Sequence, residues 1–426
     1  MKQALPSRVD LCVVGAGSAG AALAGNAARR GMRVLCLDRK PLRGSGAHWV
    51  NGVGRGDFEA AGVEAPQGAE LRGLDNPFHL FAGQGPERLT IRNHGVLEVD
   101  MRRLVERLQR RATEAGATLV GGVRVRGILG TAVYTSEGVV VADSIADAAG
   151  IRGVSALPSR PVRPTDVCAA AQSVHRVSDP GAAQAFLDAH EVGEDETLCF
   201  SGVAGGYSIL NVRVAHGEVG ILAGSIPAEG HASGKRLISD FVAEHPWVGE
   251  FVFGGYRPIP LGAPQPILAE GRVARLGDCA GQVFAAHGSG IGPGMLAARM
   301  LADALVDGGG PDDYAVRWMR AQGGLFAAYD LFRRFSQQLS LDQLQTLMRT
   351  GLLDEASAAA GLSQVLPRPS AALLARLPRG LAHSGAALTM PLAETVAKMS
   401  AAVALYRAYP KNASMRAGWS KLAATL

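Results

Sequence analysis

Near its start the chain carries a glycine-rich turn between two apolar segments, and few folds accommodate this order. Residues 9–14 (VDLCVV) have the composition of a buried parallel strand, and the turn GAGSAG follows at 15–20. Residues 21–31 (AALAGNAARRG) carry a helical apolar pattern that ends at a glycine, and 32–38 (MRVLCLD) reads as a second strand. A strand, a helix and a strand within about thirty residues form a βαβ unit, so the sequence predicts an α/β fold with a parallel sheet.

The glycines of this turn have the spacing G-x-G-x-x-G. Gly15 permits the tight turn, Gly17 removes the side chain that would block a diphosphate group, and Gly20 lets the helix pack close to the sheet. The free N–H groups of the helix N-terminus, around Ser18 and Ala19, can bind the phosphate oxygens. The alternative is a merely structural turn in a glycine-rich chain, but the strand and the helix on either side favour a dinucleotide site.

An acidic residue supports the same interpretation from the end of the second strand. Asp38 stands where a carboxylate can accept hydrogen bonds from both hydroxyls of a ribose. Arg39 follows it directly, and we include both residues in the predicted cofactor site.

Two further motifs contain many small residues. ADAAGIRGVSAL lies mid-chain at 146–157, and GDCAGQVFAAHGSGIGPGM lies at 277–295, between a late strand (272–278) and a helix running toward Leu305. Taken alone, the late motif is equally compatible with a strand-to-helix turn and with a site where backbone must approach a ligand closely.

The three motifs, in this order, resemble those of the flavoprotein superfamily of para-hydroxybenzoate hydroxylase and geranylgeranyl reductase. This resemblance implies that the first turn holds the diphosphate of FAD and that Asp278, after Gly277, accepts a hydrogen bond from a ribityl hydroxyl. It implies that the backbone of Gly290, Ile291 and Gly292 approaches the flavin ring. It also places Val125 in the cofactor site. Met101 stands where the family carries an arginine, and Arg102 or Arg103 beside it could take over the cofactor contact; we include Arg102 in the predicted site.

The match is closest to the geranylgeranyl reductase branch and covers most of residues 8–365. It implies a doubly wound Rossmann-like FAD-binding domain with an inserted β-rich substrate domain and a helical C-terminal region. The expected limits are 1–75, 99–160 and 261–310 for the FAD-binding domain, 76–98 and 161–260 for the substrate domain, and 311–426 for the helical region. Within that last region we expect breaks at Pro367, Pro369 and Pro391.

The resemblance implies an FAD-dependent oxidoreductase in which reduced flavin passes a hydride to an apolar, unsaturated substrate, either prenyl-like or a secondary metabolite. Alternatives are a flavin-dependent monooxygenase and a non-redox isomerase, cyclase or binding protein that carries flavin. Ala285 stands where both branches of the family usually have a proline; in the hydroxylases this proline helps to shape the oxygen-handling site, so its loss weakens the monooxygenase alternative. The chain also lacks the K-x-C-G-G segment typical of the reductase branch and has GSGAHWVNGVG at 44–54 instead.

His287 and His48 are the titratable residues expected nearest the flavin, and they are the candidate catalytic residues. For each, a structural histidine in the packed interior is the alternative. The chain has no second G-x-G-x-x-G within its own βαβ unit. NAD(P)H would therefore have to bind transiently, or a partner protein would have to supply the electrons.

Composition describes a globular chain without an obvious macromolecular partner. Of 426 residues, 47% are hydrophobic and 19% charged, and the net charge of +5 comes from scattered arginines without stacking aromatics, which argues against nucleic-acid binding. The five cysteines have no paired spacing, so we expect a cytoplasmic protein without disulfides or bound metal. The basic, amphipathic C-terminal segment could contact a membrane surface or form a helical cap on the core.

Overall fold

We describe the fold from a computed structural model that covers residues 4–154, 156–367 and 371–426, the side chains of 371–386 excepted. The strands, in chain order, are β1 (Arg8–Val14), β2 (Val34–Asp38), β3 (Val50–Gly54), β4 (Leu71–Leu74), β5 (Phe78–Ala82), β6 (Arg88–Ile91), β7 (Val96–Asp100), β8 (Thr118–Gly121), β9 (Val125–Leu129), β10 (Ala132–Thr135), β11 (Gly138–Asp147), β12 (Val167–Val177), β13 (Thr197–Ser201), β14 (Ser208–Ala215), β15 (Glu218–Ser225), β16 (Val248–Pro260), β17 (Ala269–Glu270) and β18 (Val273–Arg275). The helices are α1 (Ser18–Ala28), α2 (Arg55–Ala60), α3 (Met101–Glu114), α4 (Pro180–Ala189), α5 (Gly234–Glu244), α6 (Ile291–Val306), α7 (Gly310–Trp318), α8 (Gly324–Ser336), α9 (Leu341–Arg349), α10 (Glu355–Leu362), α11 (Ala371–Arg407) and α12 (Arg416–Ala423).

The first sheet carries the predicted βαβ unit. Strands β18, β11, β1, β2 and β8 lie side by side in this order and run parallel. Leu11 and Val13 of β1 pack against α1, α3 and α6 on one face of the sheet, and Cys12 packs against the β9–β10 hairpin on the other. Because β1 and β2 are covered on both faces, they read as continuous apolar runs in the sequence. The predicted α/β fold with a parallel sheet is confirmed.

A second sheet has the strand order β16-β12-β15-β14-β13-β5-β6 and is antiparallel except where β13 runs parallel to β5. Helices α4 and α5 cover one face, where Leu187 and Phe241 pack against Val212 and Ile221. Helices α8 to α11 face the opposite side. A small antiparallel sheet, β3-β7-β4, lies alongside.

The C-terminal part is helical, as predicted, but the expected break at Pro391 is wrong. Helix α11 runs through this residue to Arg407. Pro391 is exposed, so water can satisfy the carbonyl that loses its helical N–H partner. Pro367 follows α10 outside any helix, and Pro369 lies outside the described residues.

The tail packs onto the core as a cap. Trp419 of α12 lies with its ring centroid 4.9 Å from that of Tyr406 and 4.8 Å from that of Tyr409. Arg416 forms an ion pair with Asp312 at the start of α7. Within the described part of the chain, no helix combines the length and the apolar composition that crossing a lipid bilayer requires.

Candidate functional site

The predicted first phosphate turn lies between the end of β1 and the start of α1. Gly15 has φ of 107°, and a β-carbon there would lie 2.3 Å from the carbonyl oxygen of Ala148. A β-carbon at Gly20 would lie 1.8 Å from the carbonyl oxygen of Gly15. Gly17 differs, because the nearest atom to its missing β-carbon is the α-carbon of Gly46 at 3.6 Å. The fold therefore requires glycine at 15 and 20, whereas at 17 it leaves space.

The N-terminus of α1 is open to an anion. Gly17 is the N-cap residue, and no side chain caps the first turn, which contains no acidic residue. Ser18 and Ala19 are half-buried there. N–H groups that lack a protein acceptor at a helix N-terminus bind phosphate well, so this turn fits the diphosphate of a dinucleotide.

Asp38 lies at the end of β2 beside this turn. One carboxylate oxygen accepts a hydrogen bond from the Ala16 N–H at 2.9 Å, and the other accepts from the Lys40 N–H at 2.8 Å. Gln109 of α3 donates to the carbonyl oxygen of Ala16 at 2.8 Å and holds the turn from the other side. Asp38 remains half-buried and Arg39 is exposed. The Asp38 carboxylate thus shapes the turn and retains an accessible side for a ribose.

The second and third motifs meet at Asp278, and the third meets the first at Gly277, where a β-carbon would lie 3.7 Å from the methyl group of Ala19. The Asp147 carboxylate, at the end of β11, accepts from the Ala149 N–H at 3.1 Å and so folds the mid-chain motif. A β-carbon at Gly150 would lie 4.0 Å from one Asp278 carboxylate oxygen, and a β-carbon at Gly290 would lie 3.5 Å from the other oxygen of the same carboxylate. Burial raises the pKa of the Asp278 carboxyl, and the Arg257 charge opposes that rise.

A buried network fixes the turn that carries Gly277 and Asp278. The Gly277 N–H donates to the Gln282 side-chain oxygen at 2.7 Å, and the Gln282 amide donates to the Tyr314 hydroxyl at 2.8 Å. The Tyr314 hydroxyl in turn donates to the carbonyl oxygen of Arg275 at 3.1 Å. Sequence reasoning missed Gln282 and Tyr314, since nothing local marks a buried amide or hydroxyl as a partner of this turn.

The N-terminus of helix α6 lies next to Asp278. Gly290 is its N-cap residue and Ile291 its first residue, with no side-chain cap. A β-carbon at Gly292 would lie 1.9 Å from an Asp57 carboxylate oxygen, so that carboxylate packs directly against the first turn. Burial raises the pKa of Asp57. A β-carbon at Gly294 would lie 3.2 Å from the methyl group of Ala19, which places the starts of α1 and α6 side by side.

The turn at 15–20, Asp38, Asp278 and the start of α6 border a space that we call the groove, and Arg102 and Val125 belong to neighbouring segments. Arg102 pairs with Asp100 through two hydrogen bonds, of 3.0 and 2.6 Å, and its guanidinium carbon lies 3.5 Å from the ring centroid of Phe253. The Val125 side chain packs on the sheet face opposite α1, with the β9–β10 hairpin. The backbone near it reaches the groove, because the Val123 N–H donates to the Asp38 carbonyl oxygen at 2.9 Å.

A cavity of about 760 Å³ opens between the second sheet and helices α8 to α11. Its described lining is mostly apolar and includes Leu80, Ile209 and Leu222 from the sheet and Phe332, Leu347 and Met399 from the helices. The arginines of the described lining are already paired: Arg72 with Glu218, and Arg213 with Glu98 and Asp195.

One end of this cavity reaches the loop that precedes α6. Asn51 and Gly52 of β3 line it there together with Ala286 and Ser289. The Tyr207 hydroxyl donates to the carbonyl oxygen of Ala285 at 3.0 Å and ties the loop to the second sheet. The groove and the cavity therefore share this loop as a common wall.

The two candidate catalytic histidines are not brought together. His287 lines the cavity, and its Nε2 is buried and makes no hydrogen bond within the described residues. Burial lowers the pKa of His287 to about 4, so the ring is neutral near neutrality. His48 is not part of the described cavity lining, and its carbonyl oxygen lies 4.0 Å from the position of a β-carbon at Gly255.

No protein-family model matches the chain. It is 27% identical over 367 residues to digeranylgeranylglycerophospholipid reductase 2 of Methanopyrus kandleri, with 79% of this chain and 89% of that protein covered. It is 22% identical over 383 residues to digeranylgeranylglycerophospholipid reductase of Sulfolobus acidocaldarius, with 82% of each covered.

Solved structures show the same fold. A geranylgeranyl bacteriochlorophyll reductase-like protein from Thermoplasma acidophilum superposes with a TM-score of 0.72 at 17% identity, over 91% of this chain and 99% of that chain. A myxobacterial chondrochloren halogenase, an FAD-dependent halogenase, superposes with a TM-score of 0.61 at 15% identity, over 93% and 97%. At these identities the likeness is one of fold.

Proposed function

Because the chain belongs to the superfamily of FAD-dependent oxidoreductases that includes geranylgeranyl reductases and para-hydroxybenzoate hydroxylase, we propose that it reduces a carbon–carbon double bond in an apolar, prenyl-like small molecule. The observation that carries this proposal is the apolar cavity that ends at the loop before α6. The same loop borders the groove in which the three glycine motifs meet.

The groove residues fit FAD. The uncapped start of α1 suits the diphosphate, and the half-buried Asp38 and Asp278 carboxylates suit the ribose and ribityl hydroxyls. The uncapped start of α6 suits the pyrimidine end of the flavin. When bound and reduced, flavin supplies a hydride to an acceptor held against its ring.

The cavity walls select an apolar substrate. An extended hydrocarbon gains about 25 cal/mol for each Å² of surface removed from water, and most of the lining surface is apolar, with leucine its commonest residue. Arg72 and Arg213 are paired with acids, so within the described lining no arginine is free to attract an anionic headgroup.

Saturating a double bond also requires a proton. At the loop end of the cavity, the Tyr207 hydroxyl stays protonated because burial raises its pKa. His287 lies at the same end, and its buried Nε2 makes no hydrogen bond to the residues that the structure describes. We assign the Tyr207 hydroxyl as the group that holds this proton. Of the two candidate histidines, His287 is favoured over His48 as a residue of the reacting end because His287 lines the cavity and His48 does not, although the neutral ring of His287 carries no spare proton near neutrality.

An anaerobic single-turnover experiment tests this function. The purified protein is loaded with FAD, reduced chemically without oxygen, and mixed with prenyl alcohols, prenyl lipids and aromatic compounds. We expect reoxidation of the flavin by an unsaturated prenyl compound and a product that has gained two hydrogens. The physiological reductant, either transiently bound NAD(P)H or a partner protein, is then identified by adding each candidate to the oxidised protein and measuring which one reduces the flavin.

Two other results would overturn the proposal. A hydroxylated product formed only when oxygen is present would assign a monooxygenase. Conversion of a substrate with no consumption of reductant would assign a non-redox isomerase or cyclase.

A further inference from the structure

Strand β16 is the edge strand of the second sheet, and one of its faces borders the FAD groove. Its register with β12 pairs Phe253, Gly255, Arg257 and Ile259 with every second residue of the partner strand, so these four positions share one face of β16, and three of them carry side chains. The residues that neighbour Phe253, Gly255 and Ile259 show which segments this face of β16 contacts.

Each of those neighbours belongs to a segment of the groove. The Phe253 ring lies under the guanidinium of Arg102. The position of a β-carbon at Gly255 is 4.0 Å from the carbonyl oxygen of His48, in the loop after β2. A β-carbon at Gly288 would lie 3.6 Å from Ile259, which places Ile259 against the loop before α6. Arg257, between Gly255 and Ile259, therefore faces the groove between these two loops.

Arg257 has no protein partner there. It is half-buried, and within the described residues it makes no hydrogen bond and no ion pair. Burial lowers the pKa of its guanidinium, while the charges of Asp278 and Asp38 oppose this change. Arg102, by contrast, is held by Asp100. A partly desolvated guanidinium with free donors is costly unless an anion accepts its hydrogen bonds.

We propose that Arg257 binds the diphosphate of FAD from the side opposite the N-terminus of α1. The inference rests on the proposed cofactor. In FAD the diphosphate lies between the ribose and the ribityl chain, and Arg257 lies within electrostatic range of both Asp38 and Asp278, the acids assigned to those two groups. A guanidinium presents paired donors that match two phosphate oxygens. The second sheet would thus supply one residue to the binding of a cofactor that otherwise contacts the first sheet and its helices.

Binding to the apoprotein tests the assignment with three probes: FAD, ADP and riboflavin. FAD and ADP contain the diphosphate, and riboflavin does not. In Arg257→Gln we expect the dissociation constants of FAD and ADP to rise about tenfold or more and that of riboflavin to stay unchanged. Arg257→Lys keeps the charge and is expected to recover part of the affinity. Arg236→Gln, on the exposed surface of α5, is the matched control and is expected to bind as the wild type does.

The outcomes separate this inference from the cofactor assignment. If Arg257→Gln binds FAD and ADP as tightly as the wild type, Arg257 does not contact the diphosphate. Equal weakening of riboflavin would mean that the substitution disturbs the groove as a whole, which also overturns the assignment. If the wild type itself binds no FAD, the proposed function fails first. Thermal unfolding of the apoproteins checks that each variant is folded, which we expect because Arg257 makes no hydrogen bond or ion pair within the described residues.

Discussion

Replacing Gly17 with alanine is expected to weaken FAD binding while leaving the stability of the apoprotein nearly unchanged. Gly17 has φ of −72°, which an alanine adopts without strain. The added methyl group would lie 3.6 Å from the α-carbon of Gly46, an ordinary van der Waals contact. In the apoprotein the substitution therefore creates no clash, although the methyl group points to where we predict the diphosphate of FAD.

The expected magnitudes differ between stability and binding. Replacing glycine with alanine restricts the unfolded chain and stabilises by about 0.4–1 kcal/mol, while alanine is a poorer N-cap than glycine by a similar amount. We expect these effects to cancel to within about 1 kcal/mol in the free energy of unfolding. FAD affinity should fall about tenfold or more, which corresponds to a loss of about 1.4 kcal/mol or more of binding free energy.

Urea unfolding of the apoprotein and a fluorescence titration with FAD measure the two quantities separately. Gly20→Ala is the contrasting variant, because its β-carbon would lie 1.8 Å from the Gly15 carbonyl oxygen, and we expect it to lose about 1–3 kcal/mol of stability as well as affinity. Gly418→Ala, with no atom within 4 Å of its β-carbon, is the remote control, with FAD affinity unchanged. A Gly17→Ala variant that binds FAD as the wild type does would refute the assignment of this turn.

Three further predictions concern the interior. The pKa of His287 is about 4 in the folded protein and 6.5 in the unfolded chain, so the free energy of unfolding decreases as pH falls from 6.5 to 4. In urea unfolding, His287→Gln should remove up to about 3 kcal/mol of that decrease. A variant whose stability depends on pH as the wild type's does would contradict the buried, neutral state of His287. Tyr314→Phe leaves Gln282 and the Arg275 carbonyl without their shared partner, so unfolding should show a loss of about 1–3 kcal/mol, and a neutral effect would contradict the network. Leu222→Trp narrows the cavity and should raise the KM of a prenyl substrate without weakening FAD binding, whereas weakened FAD binding would place the residue in the groove.

The parts of the site that could be predicted from the sequence are those whose structure is determined by interactions within one short segment. The turn at Gly15, Gly17 and Gly20 is such a segment, since strand, turn and helix are contiguous and each glycine has a local role. The small residues around Asp278 favoured a close approach of backbone to a ligand only in combination with the two earlier motifs. The structure adds that Gly15 and Gly20 serve the fold itself, through contacts with Ala148 and with each other.

The parts that sequence could not predict depend on segments far apart in the chain. Asp57 packs against Gly292 across two helices, and neither residue has a neighbour in sequence that predicts this contact. Arg257 belongs to the second sheet but faces the groove of the first, which follows from the register of β16 and not from its own segment. Tertiary packing, and not local pattern, places these side chains.

Addition of FAD to the purified apoprotein, followed by removal of unbound cofactor and a visible absorption spectrum, tests whether the three glycine motifs form an FAD site. We expect the protein to retain flavin at one equivalent per chain and to become yellow. A folded protein that stays colourless under these conditions would contradict the assignment of the groove, and with it the proposed reduction of a double bond.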